Sequence, residues 1–283
     1  MVIYFSGTGN SLAIARKIAE ATNDQVIPLM EAVKLDLSGE ARIGLVYPCY
    51  DFAPPPAVQK LFPMLRVNPQ AYIFVVIDCG AQVGISSWYA RHVFKQMGAK
   101  VAFCDKIRVP DCAGIAYKRN PNKQIWKFTK YAGRLERIID DIKNNRSGIH
   151  YGGWSLLGWI SMNTSFGQKM IKAFRPAANP DKCIGCGTCA RVCPVENITM
   201  QEREGAKPIA VTGDNCTTCL ACVHFCPHQA MQLGKKSVEK SWQYHHPEIS
   251  LKDMIRKSKI PSHSGVFFRT IKRCSATANF IFC

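Results

Sequence analysis

Two cysteine runs of identical spacing constrain this chain more than any other feature. Eight of its fourteen cysteines lie between Cys183 and Pro227. The first run holds Cys183, Cys186, Cys189 and Cys193 and ends at Pro194; the second holds Cys216, Cys219, Cys222 and Cys226 and ends at Pro227. Both read C-x2-C-x2-C-x3-C-P, and each cysteine of the second run lies 33 residues after its counterpart, so the segment is an internal duplication. Four thiolates match the four irons of a 4Fe-4S cubane, and the x2 spacings let one loop wrap three of its corners. The fourth corner must come from further away. Structural zinc takes two separated cysteine pairs, four ligands in all, and fits two proline-ended quartets worse; so does a disulfide framework.

The segment strongly resembles the two-cluster ferredoxins, in which the fourth cysteine of each run serves the other cluster. That resemblance implies one cluster on Cys183, Cys186, Cys189 and Cys226 and another on Cys216, Cys219, Cys222 and Cys193. Gly185 and Gly187 suit close backbone approach to a cluster.

At 283 residues the chain has room for two domains with cores of their own. It opens Met1-Val2-Ile3-Tyr4-Phe5, which reads as a core strand rather than a signal peptide. The longest apolar runs, Ala71 to Ile77 and Gly152 to Ile160, fall far short of the ~20 residues of a membrane span. With most cysteines assigned to clusters, a reducing, cytoplasmic setting is expected. The formal net charge is +17, concentrated in Arg108 to Arg146 and in Lys235 to Cys283. Solvated helix faces, docking to an acidic redox partner, or attraction to nucleic acid or anionic lipid would each account for it. No DNA-binding motif accompanies the basic residues, so a nucleic-acid partner is not expected.

The N-terminal strand stops at Ser6-Gly7-Thr8-Gly9-Asn10-Ser11 and is followed by a helical pattern, Leu12, Ala13, Ile14, Ile18 and Ala19. Glycines and hydroxyls at a helix N-terminus suit a phosphate group, since backbone N–H groups converge there and the helix dipole favours an anion. The loop has no Gly-Lys-Ser/Thr of a Walker A motif and lacks the third glycine of G-x-G-x-x-G. It resembles instead the phosphate loop of flavodoxins, which implies that Ser6, Gly7, Thr8, Gly9, Asn10 and Ser11 hold the phosphate of FMN.

Further short strands are expected at Gln25 to Ile27, Arg42 to Tyr47, Ala71 to Ile77 and Lys100 to Lys106, with helices at Pro56 to Phe62 and Ser86 to Met97. This alternation is that of a doubly wound α/β sheet, whose ligands sit beyond the carboxyl ends of the strands. The loops after the third and fourth strands offer Tyr47, Pro48, Cys49, Tyr50 and Phe52, and Cys79, Gly80 and Gly84. The flavodoxin resemblance implies that they enclose the flavin ring. Cys49 and Cys79 lack a dithiol spacing and read as loop packing.

From Asn120, a candidate N-cap with Pro121 at the first helical position, Ile125, Phe128, Ala132, Leu135, Ile139 and Ile142 mark a long helix ended by Gly148. The apolar segment Ile149 to Pro180 is too hydrophobic for a free linker and is expected to pack between domains or in a dimer contact. Short strands are expected at Asn197 to Met200, Ile209 to Val211 and Met231 to Leu233, with a helix near Leu251 to Lys257. His245 and His246 precede a proline without a third ligand and read as structural.

Taken whole, the chain resembles the flavodoxin/ferredoxin fusion family, the EFR-type ferredoxins of anaerobic bacteria and archaea. The resemblance implies an α/β doubly wound FMN domain over residues 1–148, a packed segment over 149–180, a small α+β domain with two 4Fe-4S clusters over 181–236, and a basic tail over 237–283. The expected function is electron transfer between FMN and the clusters and on to a partner redox protein, with no catalytic acid or base. Two alternatives stay open: a flavin-dependent reductase of a small organic substrate, with Tyr50, Asp51 and His92 as candidate proton donors, and an iron-sulfur redox sensor or interaction protein.

Overall fold

The computed structural model of the chain describes residues 1–117, 119–151, 153–164, 175–234 and 238–255. The N-terminal apolar run forms β1 (Val2–Tyr4), α1 (Asn10–Thr22) follows the Ser-Gly loop, and β2 (Val26–Pro28) and α2 (Leu29–Ala32) follow it. Next come β3 (Asp36–Leu37), β4 (Arg42–Pro48), α3 (Pro56–Leu61), β5 (Arg66–Val67), β6 (Tyr72–Cys79), α4 (Ser86–Gln96), β7 (Val101–Arg108), α5 (Lys127–Lys143) and β8 (Gly148–Ile149). Six strands make one parallel sheet in the order β2-β1-β4-β6-β7-β8, while β3 and β5 pair by themselves.

Both faces of this sheet are covered, so its central strands are apolar throughout rather than alternating. Ile43, Leu45, Ile73, Val75 and Ile77 pack on the side of Ala57, Val58, Ala90 and Phe94, from α3 and α4. Val46, Phe74, Val76 and Phe103 pack on the other side, against Ile14 and Ile18 of α1 and Leu135 and Ile142 of α5. Gly44 lies opposite Phe74 in the β4–β6 register, and a Cβ there would sit 2.1 Å from the Phe74 ring.

The helix expected from Asn120 begins later. Asn120 does cap with its side chain, accepting from Asn122 N–H, but the turn it starts is a 3-10 helix, Pro121–Gln124, and α5 begins at Lys127. The buried stripe of α5 is Tyr131, Leu135, Ile138 and Ile142; Ala132 is exposed and Ile125 is 49% exposed. Of the expected stripe, Leu135 and Ile142 are buried and Phe128 and Ile139 pack partly buried on the same core, whereas Ile125 and Ala132 face away from it. Gly148 does not end the helix, which stops at Lys143; it opens β8, paired with Phe103 and Cys104.

In the segment after β8, Tyr151 and Met162 pack on the core, and Gly158 of α6 (Leu156–Asn163) lies against the Phe52 carbonyl. Trp154, Leu156, Leu157 and Trp159 of the same segment are exposed in the single chain. The second domain comprises β9 (Pro176–Ala178), α7 (Thr188–Arg191), β10 (Ile198–Arg203), β11 (Ala206–Thr212), α8 (Ala221–His224) and β12 (Met231–Leu233). The pairs β10–β11 and β9–β12 are both antiparallel.

The tail then runs back over the first domain. Gln243 Nε2 donates to the Val223 and Cys226 carbonyls at 2.8 and 2.7 Å. Ile249 packs on Leu12 and Ala13, and Arg16–Asp253 and Lys17–Glu248 ion pairs join α1 to the tail at 2.7 and 2.8 Å. The final helix, α9 (Leu251–Met254), starts at a capping box formed by Ser250 and Asp253. Ser262 to Cys283 lies outside the described residues. Among the described residues no helix is long and apolar enough to cross a membrane.

Replacing Gly44 by Ala drives a methyl into the Phe74 ring, and we expect a loss of about 1–3 kcal/mol of folding stability, checked by urea denaturation.

Candidate functional site

The carboxyl ends of β1, β4, β6 and β7 meet at a cavity of about 470 Å³. It brings together Ser6, Gly7, Thr8, Asn10 and Ser11 from the first loop, Pro48, Cys49, Tyr50 and Phe52 from the second, and Cys79 and Gly80 from the third. The first turn of α1 leaves its N–H groups without helical acceptors, so this end of the cavity is rich in donors. Gly9 takes φ 93° before α1, and a Cβ on it would run into Ile249 of the tail at 2.8 Å. Its glycine therefore serves the tail contact as well as the turn.

Three expected site residues do not line the cavity. Tyr47 is buried in the core, where its hydroxyl donates to the Ser86 carbonyl at 2.8 Å and its ring meets Phe62 edge-on. Gly84 has φ 51°, and a Cβ there would fall 1.9 Å from the Phe52 carbonyl, so it lets two loops touch. Gly9 lies behind the wall, against Ile249. His92, the third candidate proton donor, stacks on Trp88 on α4 and is likewise not among the lining residues.

Several lining residues were not expected. Asp78, at the end of β6, accepts from Ser11 Oγ at 2.5 Å. The stretch Val109 to Ala113 and Arg119 close one side, and Thr218 and Leu220 of the second cysteine run close another. The last two carry no signal in the first domain's sequence, because the wall they form exists only once the domains dock.

Burial dominates the electrostatics. It raises Asp78 from 3.8 to about 7, against the opposing hydrogen bond from Ser11. Burial also pushes the thiols of Cys49, Cys79 and Cys112 each up to about 12, so all three stay protonated near neutrality and behave as packing groups.

The cysteine runs gather into two sets. Cys183, Cys186, Cys189 and Cys226 surround one small cavity; Cys193, Cys216, Cys219 and Cys222 surround a second. All eight thiols are free of disulfides. Asn197 N–H donates to Cys193 Sγ at 3.3 Å, and Ala230 N–H donates to Cys226 Sγ at 3.2 Å. Those two bonds are themselves 33 residues apart.

The two regions share a wall. A Cβ on Gly7 would lie 2.5 Å from the Cys219 carbonyl oxygen, 2.9 Å from Cys219 Cβ and 3.1 Å from the Tyr50 hydroxyl. Around this point Ala57 N–H donates to Thr217 Oγ1 at 3.2 Å, and His224 Nε2 lies 3.0 Å from the Cys112 carbonyl. His224 Nδ1 accepts from Tyr244 N–H, which leaves Nε2 as the donor to Cys112. The tail completes the frame: Tyr244 Oη donates to Asn10 Oδ1 at 2.6 Å, and His246 N–H to the Thr8 carbonyl at 2.9 Å. His245 stacks on Phe225, while His246 packs edge-on against Phe128.

Leaving aside β3 and β5, the parallel strands follow the order second, first, third, fourth, fifth, with β8 added at the edge; this is the flavodoxin-like doubly wound fold. Residues 182–241 match the 4Fe-4S dicluster domain family. Among solved structures, a flavodoxin from the domain Archaea is 19% identical, with a TM-score of 0.38, over 50% of this chain and 94% of its own. The Fusobacterium nucleatum flavodoxin bound to flavin mononucleotide is 16% identical, with a TM-score of 0.34, over 52% of this chain and 97% of its own. The Megasphaera elsdenii flavodoxin is 21% identical, with a TM-score of 0.33, over 37% of this chain and 82% of its own. No curated protein matches the chain. A flavodoxin-like sheet joined to a 4Fe-4S dicluster domain makes a redox chain of the electron-transfer kind.

The Asp78 shift has a consequence for pH. Between about pH 4 and 7 the unfolded chain gives up a proton that the folded chain keeps, so stability falls as pH rises through that window. Asp78→Asn should flatten this slope in urea denaturation series at pH 5 and 8.

Proposed function

We propose that the chain is an intramolecular electron conduit between FMN, held in the 470 Å³ cavity, and two 4Fe-4S clusters. The observation that carries this reading is the contact between Gly7 of the phosphate-type loop and the Cys219 backbone, which leaves the two sites one residue thickness apart. FMN exchanges electrons in pairs or singly, whereas each cluster carries one, and joining them interconverts the two modes.

The residues present suit these groups. The first small cavity is faced by four cysteine sulfurs with His228 beside them and the second by four cysteine sulfurs, and among the described residues no three His, Cys, Asp or Glu side chains converge as a single metal ion requires. That favours a bulky cluster over one ion, with Cys226 completing the first set and Cys193 the second. The Asn197 and Ala230 N–H groups that donate to Cys193 Sγ and Cys226 Sγ would stabilise charge on those sulfurs. On the flavin side, Ser6, Gly7, Thr8, Asn10 and Ser11 offer hydroxyls and helix-terminal N–H groups for a phosphate. Asp78, held largely protonated by burial below about pH 7, adds little opposing charge there.

On this reading the Cys193/Cys216/Cys219/Cys222 cluster stands next to the flavin. The other set includes the exposed Cys186, beside Ile184, which is 41% exposed, and Arg191. An acidic redox protein would suit that end, given the net charge of +17. The reductase alternative draws on one observation: a cleft of about 540 Å³ lined by Lys123, Trp126 and Trp242 adjoins the flavin cavity through Gly80, Ala81, Asp111 and Arg119. Turnover of an organic acceptor that is lost on filling this cleft, yet insensitive to salt, would favour it.

Anaerobically purified protein should contain about eight irons and one FMN. Iron at that level without flavin would remove the conduit and the reductase together. Cys183→Ala and Cys193→Ala should each abolish a different cluster in electron paramagnetic resonance spectra, although both belong to the first run. Loss of the same cluster in both would overturn the crossed sets.

A further inference from the structure

The internal duplication extends to the backbone. Gly185 and Gly187 of the first run take φ 76° and 70°, and the residues 33 positions later, Thr218 and Leu220, take φ 53° and 59°. The same left-handed turn is thus built twice, once from glycines and once from residues that pay for it. A non-glycine residue in this region carries backbone strain, more for a β-branched threonine than for most. The first run shows that the loop closes with glycine at both places, and a Cβ at Gly187 would meet only Met200, at 4.0 Å. Cluster wrapping by itself therefore does not call for a side chain at Thr218, while Leu220 faces both ways, lining the second cluster's small cavity and its domain's core as well.

What distinguishes the second loop is what it faces. Thr218 and Leu220 both line the 470 Å³ cavity, opposite the loops from the carboxyl ends of the strands. Leu220 is 3% exposed, and Thr218 is half-buried with its hydroxyl turned back to the Thr217 carbonyl at 2.8 Å, which leaves its methyl as the free end of the side chain. The wall is held in position from several sides, by Thr217 on Ala57, by His224 on Cys112 and by the Cys219 backbone on Gly7.

We propose that Thr218 and Leu220 are flavin-contacting residues: the second cysteine run supplies the apolar fourth wall of the FMN site, and the left-handed strain is kept for that contact. The assignment rests on the flavin reading above. It makes the site composite, formed by both domains, so FMN affinity depends on the loop that wraps the nearer cluster. Linkage then requires the converse as well: bound FMN protects that loop and the iron within it.

The test titrates FMN into flavin-depleted protein that retains its clusters, following flavin fluorescence. Thr218→Gly removes the side chain and the strain together. Its unfolding midpoint should stay level or rise and its iron should remain at about eight per chain, while its FMN Kd rises about threefold to tenfold. A merely structural role would give the midpoint change without the Kd change. Leu220→Ala, read well below its unfolding midpoint, should raise Kd about tenfold or more. In the unaltered chain, saturating FMN should slow iron loss to an anaerobic chelator, and this measurement does not depend on how either variant folds. Kd values within twofold of the unaltered chain for both variants, or an iron-loss rate unmoved by FMN, would overturn the assignment. If the unaltered chain binds no FMN at all, the flavin reading itself falls and takes this assignment with it, an outcome visible before any variant is made.

Discussion

The structure depends on a backbone contact at a residue without a side chain. Gly7 lets the phosphate-type loop approach the Cys219 carbonyl so closely that any Cβ would force the domains apart. Because the contact is made by main chain on both sides, it sets the separation of the two sites with little freedom for adjustment. The surrounding bonds act in the same sense. Thr217 on Ala57, His224 on Cys112 and Tyr244 on Asn10 each join a part of the cysteine-bearing domain or the tail to a helix or turn start at the sheet's carboxyl edge in the flavodoxin-like domain. Individually such bonds contribute about 1 kcal/mol, and their joint effect is orientation more than stability.

The duplicated segment shows how one loop design is adapted to two settings. Both repeats place an N–H donor on the fourth sulfur and take left-handed φ at the same positions, including Glu196 and Gln229, 33 residues apart at φ 51° and 49°. They differ where their surroundings differ. The first repeat keeps Cys186 exposed, whereas the second buries its counterpart Cys219 against the first domain. The tail follows the same logic: a segment with little readable chemistry serves as a brace from Val223 and Cys226 across to Thr8 and Asn10.

Much of the fold was legible because it rests on local rules. Strand runs, the Ser-Gly loop before α1 and the proline at the start of α3 follow from periodicity and turn chemistry, which act within a few residues. The start of α5 at Lys127 and the role of Gly148 were not legible, since each depends on a sheet edge assembled from distant strands. Among the cavity's lining residues, Ser6, Gly7, Thr8, Asn10, Ser11 and the loop around Tyr50 stand at strand ends, where composition singles them out. Tyr47 was not: one residue earlier on its strand than Pro48, it points into the core instead of the cavity. Thr218 and Leu220 were hidden for another reason, namely that side chains between cysteine ligands read as spacers until a neighbouring domain is seen against them.

The sequence by itself determined the chemistry: four sulfurs per repeat, a donor-rich loop at a helix N-terminus, and an alternation of strands and helices that can only close as a doubly wound sheet. Spacing determines these because ligand loops and helix starts are short-range objects. Only the tertiary structure decided that the second repeat, rather than the first, stands against the phosphate-type loop, and that the tail locks the two together. Those facts depend on which surfaces exclude water from one another, a property of the packed chain that no local pattern of residues encodes.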